Sequence, residues 1–290
     1  MVGTTRNLEP LNLWRLERLG IRDSVHLIRP PAATKRSISD VLSSVAPDEI
    51  YHLGGPSSVA DSFREPGEAM MAVYQSLIQF LEVLRETRAG IRFFYPSSVD
   101  CYGVQLDVEL NEDSAHRPLS PYAVAKSSGF WSVKNYREGF GVWAATGILT
   151  NHESPLRGPG FFTQDVISGL KKVKQGLQPT VRLGNLDGGR DWMWAGDTAE
   201  AIYLITTATR PDDYLVASGR TVSLSDLVRL ACEILELSYE RVVRLNPALV
   251  RPRDIGTLRL SGTKMKESFG WSPSVDFERL VDLLIRDETN

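Results

Sequence analysis

Short apolar runs rich in β-branched and aromatic residues alternate with helix-length segments through the first half of the chain, and this alternation constrains the fold most. The runs are SVHLI at 24–28, EIYHL at 49–53, IRFFY at 91–95 and VWAATGIL at 142–149. Each has the length of a strand and the near-continuous hydrophobicity of one covered on both faces. Between them SISDVLSSV, EAMMAVYQSLIQFLEVLRET and PYAVAKSSGFWSVKNYREGF read as helices. Strand and helix in turn make βα units, and so a parallel sheet with helices on both faces. DTAEAIYLITTAT and DYLVAS add one more helix and strand. The tail from 221 to 290 reads as short helices punctuated by NPALVRPRDIG and FGWSPS. The expected fold is α/β, a Rossmann-like doubly wound parallel sheet with a smaller C-terminal substrate domain.

Composition narrows the function classes. With 290 residues and a net charge of −3, the chain can bury a large core but carries no basic field for nucleic acid or an anionic membrane. No apolar run approaches the ~20 residues that span a bilayer. Cys101 and Cys232 lie far apart, and the four histidines have no metal-ligand spacing, so no metal site is expected. A cytoplasmic protein is the expectation.

Ligands of parallel sheets bind beyond the carboxyl ends of the strands. Three loops fall there: HLGGPSS after the strand at 49–53, PSSVDCYG after 91–95, and TNHESPLRG after Leu149. Their Gly, Ser and Pro content suits close approach of backbone to a ligand. Just beyond the second loop, Ser120 and Pro121 form a helix start. Tyr122 and Lys126 follow, four apart and on one helix face. Of the nine tyrosines, only Tyr122 has a lysine four residues on. A free tyrosine titrates near ~10, and a neighbouring ammonium is expected to lower that value. Such a pair can move a proton while a hydride moves to a cofactor. Ser97, Ser98 and Asp100 from PSSVDCYG can join it around a sugar-sized substrate.

PSSVDCYG with SPYAVAK resembles the extended short-chain dehydrogenase/reductase family. PDEIYHLGGPSSVADSF, NYRE, ILTNHESPLRG, LGNLDGGRDW and RPRDIG follow in the order of one branch of it, the GDP-mannose 4,6-dehydratases. The resemblance covers nearly the whole chain. It implies oxidation of a sugar nucleotide at carbon 4, loss of water across carbons 5 and 6, and return of the hydride to carbon 6. The implied cofactor is NADP, with NAD as the alternative, and the implied substrate is GDP-mannose or a related sugar nucleotide. A homo-oligomer, dimer or tetramer, is implied as well. The catalytic set is Ser98, Asp100, Tyr122 and Lys126, with Asp100 where the family has the longer Glu. Arg6, Leu53, Gly54, Gly55, Ser57, Tyr122, Lys126, His152 and Arg157 fall at cofactor positions. Asn151, Asn185, Arg190 and Arg251 fall at substrate positions, where arginine forks suit diphosphate and base. His52 reads as a packing histidine.

Three departures qualify the match. Gln164 and Asp165 replace a basic pair, and Pro31 stands where the family places an Asp beside adenine. The opening MVGTTRN resembles the end of the family's second strand, so the first strand, glycine turn and first helix have no counterpart. The implied division is 1–155 with about 195–220 for the dinucleotide, and 156–194 with 221–290 for the sugar nucleotide. Alternatives are a related epimerase or 4-keto reductase, which need the Tyr/Lys pair but not Asp100, and a non-catalytic relative that binds nucleotide sugar.

Overall fold

The computed structural model describes residues 1–9, 13–87, 90–105, 108–250 and 255–289. Elements of the first half are β1 (Val2–Thr4), α1 (Trp14–Arg18), β2 (His26–Ile28), α2 (Lys35–Val45), β3 (Glu49–Tyr51), α3 (Val59–Arg64), α4 (Pro66–Thr87), β4 (Arg92–Ser98), β5 (Glu109–Leu110), α5 (Pro121–Phe140) and β6 (Ala144–Leu149). Then come β7 (Asn151–Glu153), α6 (Phe162–Lys174), β8 (Val181–Leu183), β9 (Gly189–Trp194), α7 (Ala195–Thr207), β10 (Asp213–Val216), β11 (Thr221–Ser223), α8 (Leu224–Ile234), α9 (Tyr239–Val242), β12 (Val243–Leu245), β13 (Arg259–Leu260), α10 (Thr263–Phe269) and α11 (Phe277–Arg286). The four expected strands and the three expected helices of the first half are all present. The sequence reading missed α6 and the small strands β8, β9, β11 and β12; at three to six residues these strands are too short for a periodic pattern to declare them.

The main sheet runs β10-β6-β4-β3, parallel throughout. Side chains on a strand alternate between faces. Phe93 and Tyr95 accordingly pack with Leu77, Leu81 and Val133 of α4 and α5, whereas Phe94 packs with Ala201, Ile205 and Tyr214 on the α7 side. Leu77 and Leu81 are fully buried, and burial of a leucine stabilises the fold by roughly 2 kcal/mol. β1 and β2 form a separate parallel ladder, with no pairing to β3 among the described residues. A further core joins α6, α8 and α11 through Leu170, Leu227 and Leu280.

Helix α5 carries the Tyr/Lys pair, and its ends are fixed locally. Ser120 accepts a hydrogen bond from the Ala123 N–H at 3.1 Å, and Pro121 opens the first turn. Gly141, at φ 69°, closes the helix in the left-handed conformation. Where α5 crosses β4 it lies too close for a side chain: a Cβ on Gly129 would sit 2.1 Å from the Tyr95 hydroxyl. Near its end Arg137 grips Asp213 of β10 through two hydrogen bonds of 2.9 and 2.6 Å.

Candidate active site

A cavity of about 540 Å³ opens at the carboxyl ends of β3, β4 and β6, within the size range of small-molecule sites. Ten of the residues singled out in the sequence line it: Leu53, Ser57, Ser98, Asp100, Tyr122, Lys126, Asn151, His152, Arg157 and Arg190.

Strand β4 ends on Ser98, whose hydroxyl accepts the Asp100 N–H at 3.3 Å and caps a 3₁₀ turn over Val99–Tyr102. That turn delivers Asp100 to the cavity. It is locked against the approach to α5: the Arg117 N–H donates to the Cys101 carbonyl at 2.8 Å. Gly103, at φ 61°, passes so near Arg117 that a Cβ would fall 1.8 Å from its carbonyl oxygen. The segments bearing Asp100 and Tyr122 are thereby held as one piece.

Ser98 and Tyr122 both line the cavity, and the Ser98 hydroxyl acts to lower the Tyr122 pKa. Lys126 is buried, donates from Nζ to the Pro96 carbonyl at 2.8 Å, and lies 5.2 Å from the Tyr95 ring centre and 5.8 Å from that of Tyr122. The expected lowering of the tyrosine pKa is not what the structure shows. Burial and the Asp100 charge push Tyr122 up, against the opposing effects of Ser98 and Arg157. Burial also brings Lys126 down to about 8, with Cys101 opposing. The reason is desolvation, the largest effect on both groups, which penalises tyrosinate and ammonium alike.

His152 faces the cavity, and its Nδ1 donates to the Thr150 carbonyl at 3.1 Å. That bond leaves Nε2 as the acceptor nitrogen. Burial, then the charge of Arg157, lowers its pKa. Arg157 lines the cavity yet is turned into its wall, bonded to the His152 carbonyl at 2.6 Å and to Glu153 at 3.0 Å. Arg190 donates to the carbonyls of Gly189 and Gly256 at 2.8 and 2.6 Å. Gln164 and Asp165 brace the same loop, the first through the Ser154 carbonyl at 3.3 Å, the second through the Gly160 N–H at 2.9 Å.

Other expected residues lie elsewhere. Arg6 is exposed in a bend outside the cavity lining, and Gly54 and Gly55 are also outside it. Asn185 is exposed, its side chain accepting the Asp187 N–H at 2.9 Å. Arg251 lies outside the described residues. His52 packs among Phe80, Phe93 and Tyr95, as a packing histidine should, and burial brings it down to about 4.

Several lining residues escaped the sequence reading, among them Arg15, Leu119, Thr198 and Ile202. Thr198 and Ile202 are four apart on α7, a helical spacing that announces a shared face but not what it faces. Arg15, in the amphipathic WRLERL, is indistinguishable by sequence from a solvated arginine. Here its Nε donates to the Leu156 carbonyl at 2.6 Å.

Comparison with known proteins follows the same contour. The family model for GDP-mannose 4,6 dehydratase matches residues 1–284. GDP-mannose 4,6 dehydratase 1 of Arabidopsis thaliana is 34% identical over 251 residues, covering 85% of this chain and 69% of the plant protein. The Drosophila melanogaster GDP-mannose 4,6 dehydratase is 30% identical, covering 98% and 78%. Among solved structures, RMD from Pseudomonas aeruginosa complexed with NADPH superposes with a TM-score of 0.82 at 21% identity, covering 99% of this chain and 98% of that one. The Bacillus anthracis dTDP-glucose 4,6-dehydratase in complex with NAD also gives 0.82, at 15% identity, covering 94% and 83%. These likenesses show the fold, a Rossmann-like α/β sheet. The family match runs through every strand end that opens into the cavity, and the chain belongs to the GDP-mannose 4,6-dehydratase family.

Proposed function

We propose that the protein converts GDP-mannose to GDP-4-keto-6-deoxymannose. The observation that carries this reading is a convergence on one phenol. Ser98 and the Asp100 charge both act on Tyr122, and the Lys126 amine lies beside its ring, all at one cavity. A reductase or epimerase needs no carboxylate at that point; a dehydratase does.

The residues fit a nicotinamide dinucleotide on the Lys126 side. Of the three N–H donors of its ammonium, one is spent on Pro96, leaving donors for sugar hydroxyls. NADP, when bound, supplies a hydride acceptor for carbon 4 and returns the hydride to carbon 6. Tyr122 takes the carbon-4 hydroxyl proton, with Ser98 bonded to the same oxygen. A cation arriving near the phenol offsets the burial that holds its pKa up. Asp100 takes the carbon-5 proton made acidic by the new ketone and gives it to the hydroxyl that leaves carbon 6 as water; return of the hydride to carbon 6 places a proton on carbon 5, balanced by the one Tyr122 took from the carbon-4 hydroxyl. Asn151 and Arg190 bind the sugar nucleotide. Leu53 and Ser57 flank the cofactor.

The proposed division is a dinucleotide-binding part, 1–155 with about 195–220, and a substrate part of the remainder. The separate core beneath α6, α8 and α11 supports it. A homo-oligomer is part of the same reading, supported by the exposed Met71 and Tyr74 of α4 and Trp131 of α5.

The test is mass spectrometry of GDP-mannose after incubation with the protein and NADP. A product lighter by one water supports dehydration. Unchanged mass, with or without an altered sugar stereocentre, overturns it.

A further inference from the structure

We propose that Glu153 is a positioning residue: it anchors Arg157, and through Arg157 the backbone of His152, so that the imidazole is held toward the cavity. That the ligand is a nicotinamide dinucleotide rests on the reading above; the anchoring does not.

Glu153 ends β7, and its side chain alternates with that of His152, so it turns inward and is only 2% exposed. Its carboxylate accepts the Thr163 hydroxyl at 2.5 Å and Arg157 Nη1 at 3.0 Å. The same Nη1 donates to the His152 carbonyl at 2.6 Å. One nitrogen thus joins a buried anion to the backbone of a cavity histidine. The guanidinium is also stacked 3.9 Å from the Phe161 ring centre, and the Arg157 N–H closes a turn on Ser154 at 3.0 Å. A buried carboxylate is costly without a partner, and the partner it has chosen is a cavity-lining cation rather than a core one. Burial pushes the Glu153 pKa up while Arg157 and Thr163 pull it down. His152 faces two cations, Arg157 and Lys126, and both depress its pKa. Glu153 is paired with the first of them at 3.0 Å.

Glu153→Gln keeps the shape. The amide oxygen can still accept from Arg157 and the amide nitrogen can donate to the Thr163 hydroxyl, so the fold survives while the charge is lost. Arg157 is then uncompensated beside His152. A pH titration of labelled histidines by NMR should show the His152 midpoint moving down. His52 and His116 should stay in place. An unmoved His152 overturns the proposal.

The second measurement is a cycle. Glu153→Gln and Arg157→Lys should each raise the KM for NADP about tenfold with little change in kcat, and the double variant should do no worse than either. Factors that multiply would mean two independent roles and would overturn it. Should the unmodified chain leave GDP-mannose untouched, the functional reading fails, and the His152 titration still decides the anchoring.

Discussion

β4 and β1 are both parallel strands that lead into loops, and they end in different states. β4 pairs on both sides, with β3 and β6, and six of its seven residues are buried. Among the described residues β1 has one neighbour, β2, and none of its three residues is buried. The acid/base groups grow from the first kind of strand. Ser98 ends β4, the turn after it carries Asp100, and α5 is packed on β4 and β6. A proton transfer needs its atoms within a few tenths of an ångström, and a strand clamped on both sides can hold them so. The β1 side carries Arg6, a residue that reaches outward into solvent.

If that contrast is real, the closed side should fail abruptly when altered. Tyr122→Phe removes one oxygen from a site that is otherwise rigid. We expect kcat to fall by about 10³-fold or more with sugar-nucleotide affinity within about twofold, read by steady-state kinetics and calorimetry. Unchanged turnover would remove Tyr122 from the chemistry.

Asp100→Asn should cost less and reveal more. Oxidation at carbon 4 depends on Tyr122, whereas removal of the carbon-5 proton depends on the carboxylate. Product formation should fall about 10²-fold, while rapid-mixing absorbance shows reduced nicotinamide accumulating. Loss of the Asp100 charge also removes one cause of the high Tyr122 pKa, so the first step should be spared. Normal product formation would assign the base elsewhere.

The same contrast explains what the sequence disclosed. The βα alternation and the Ser120-Pro121 helix start are local signals, so the sheet and α5 were legible. The Tyr122/Lys126 spacing was legible for the same reason, since a helix face is fixed by sequence separation alone. Electrostatics was not. Four-residue spacing put the ammonium near the phenol but could not weigh the desolvation of both, and the direction for Tyr122 came out reversed. Arg15 was invisible because its partner, the Leu156 carbonyl, is 141 residues away. Arg157 was found but its partner was not: the motif gave its place on the loop, and only the fold shows that it pairs with Glu153.

Desolvation of Lys126 gives a stability test of the closed side. An unfolded lysine keeps its proton to about 10.4, whereas the folded one releases it near 8. Between those values the unfolded chain binds more protons, so stability should rise as pH rises from about 8 to about 10. Below 8 the buried ammonium carries its whole cost, on the order of 3 kcal/mol. Urea midpoints at pH 7.5 and 9.5 should therefore differ more for the unmodified protein than for Lys126→Met. Equal pH slopes would show that Lys126 is solvated in the folded chain.

The smallest effect is expected on the open side. By family resemblance Arg6 meets the 2′-phosphate of NADP, yet it is exposed and outside the cavity lining. A solvated arginine with no fixed geometry gives its partner only about 0.2–1 kcal/mol, a factor of five or less in affinity. Arg6→Ala should accordingly raise the KM for NADP no more than about fivefold and leave the KM for NAD, which lacks that phosphate, unchanged. High salt should erase the difference, because screening acts on exposed charges and spares buried ones. An equal rise for both dinucleotides would mean that Arg6 supports the β1–β2 ladder rather than reading a phosphate. A loss of a hundredfold for NADP alone would mean that the front of the molecule closes on the cofactor as firmly as β4 holds Ser98, and the contrast between the two regions would disappear when ligand binds.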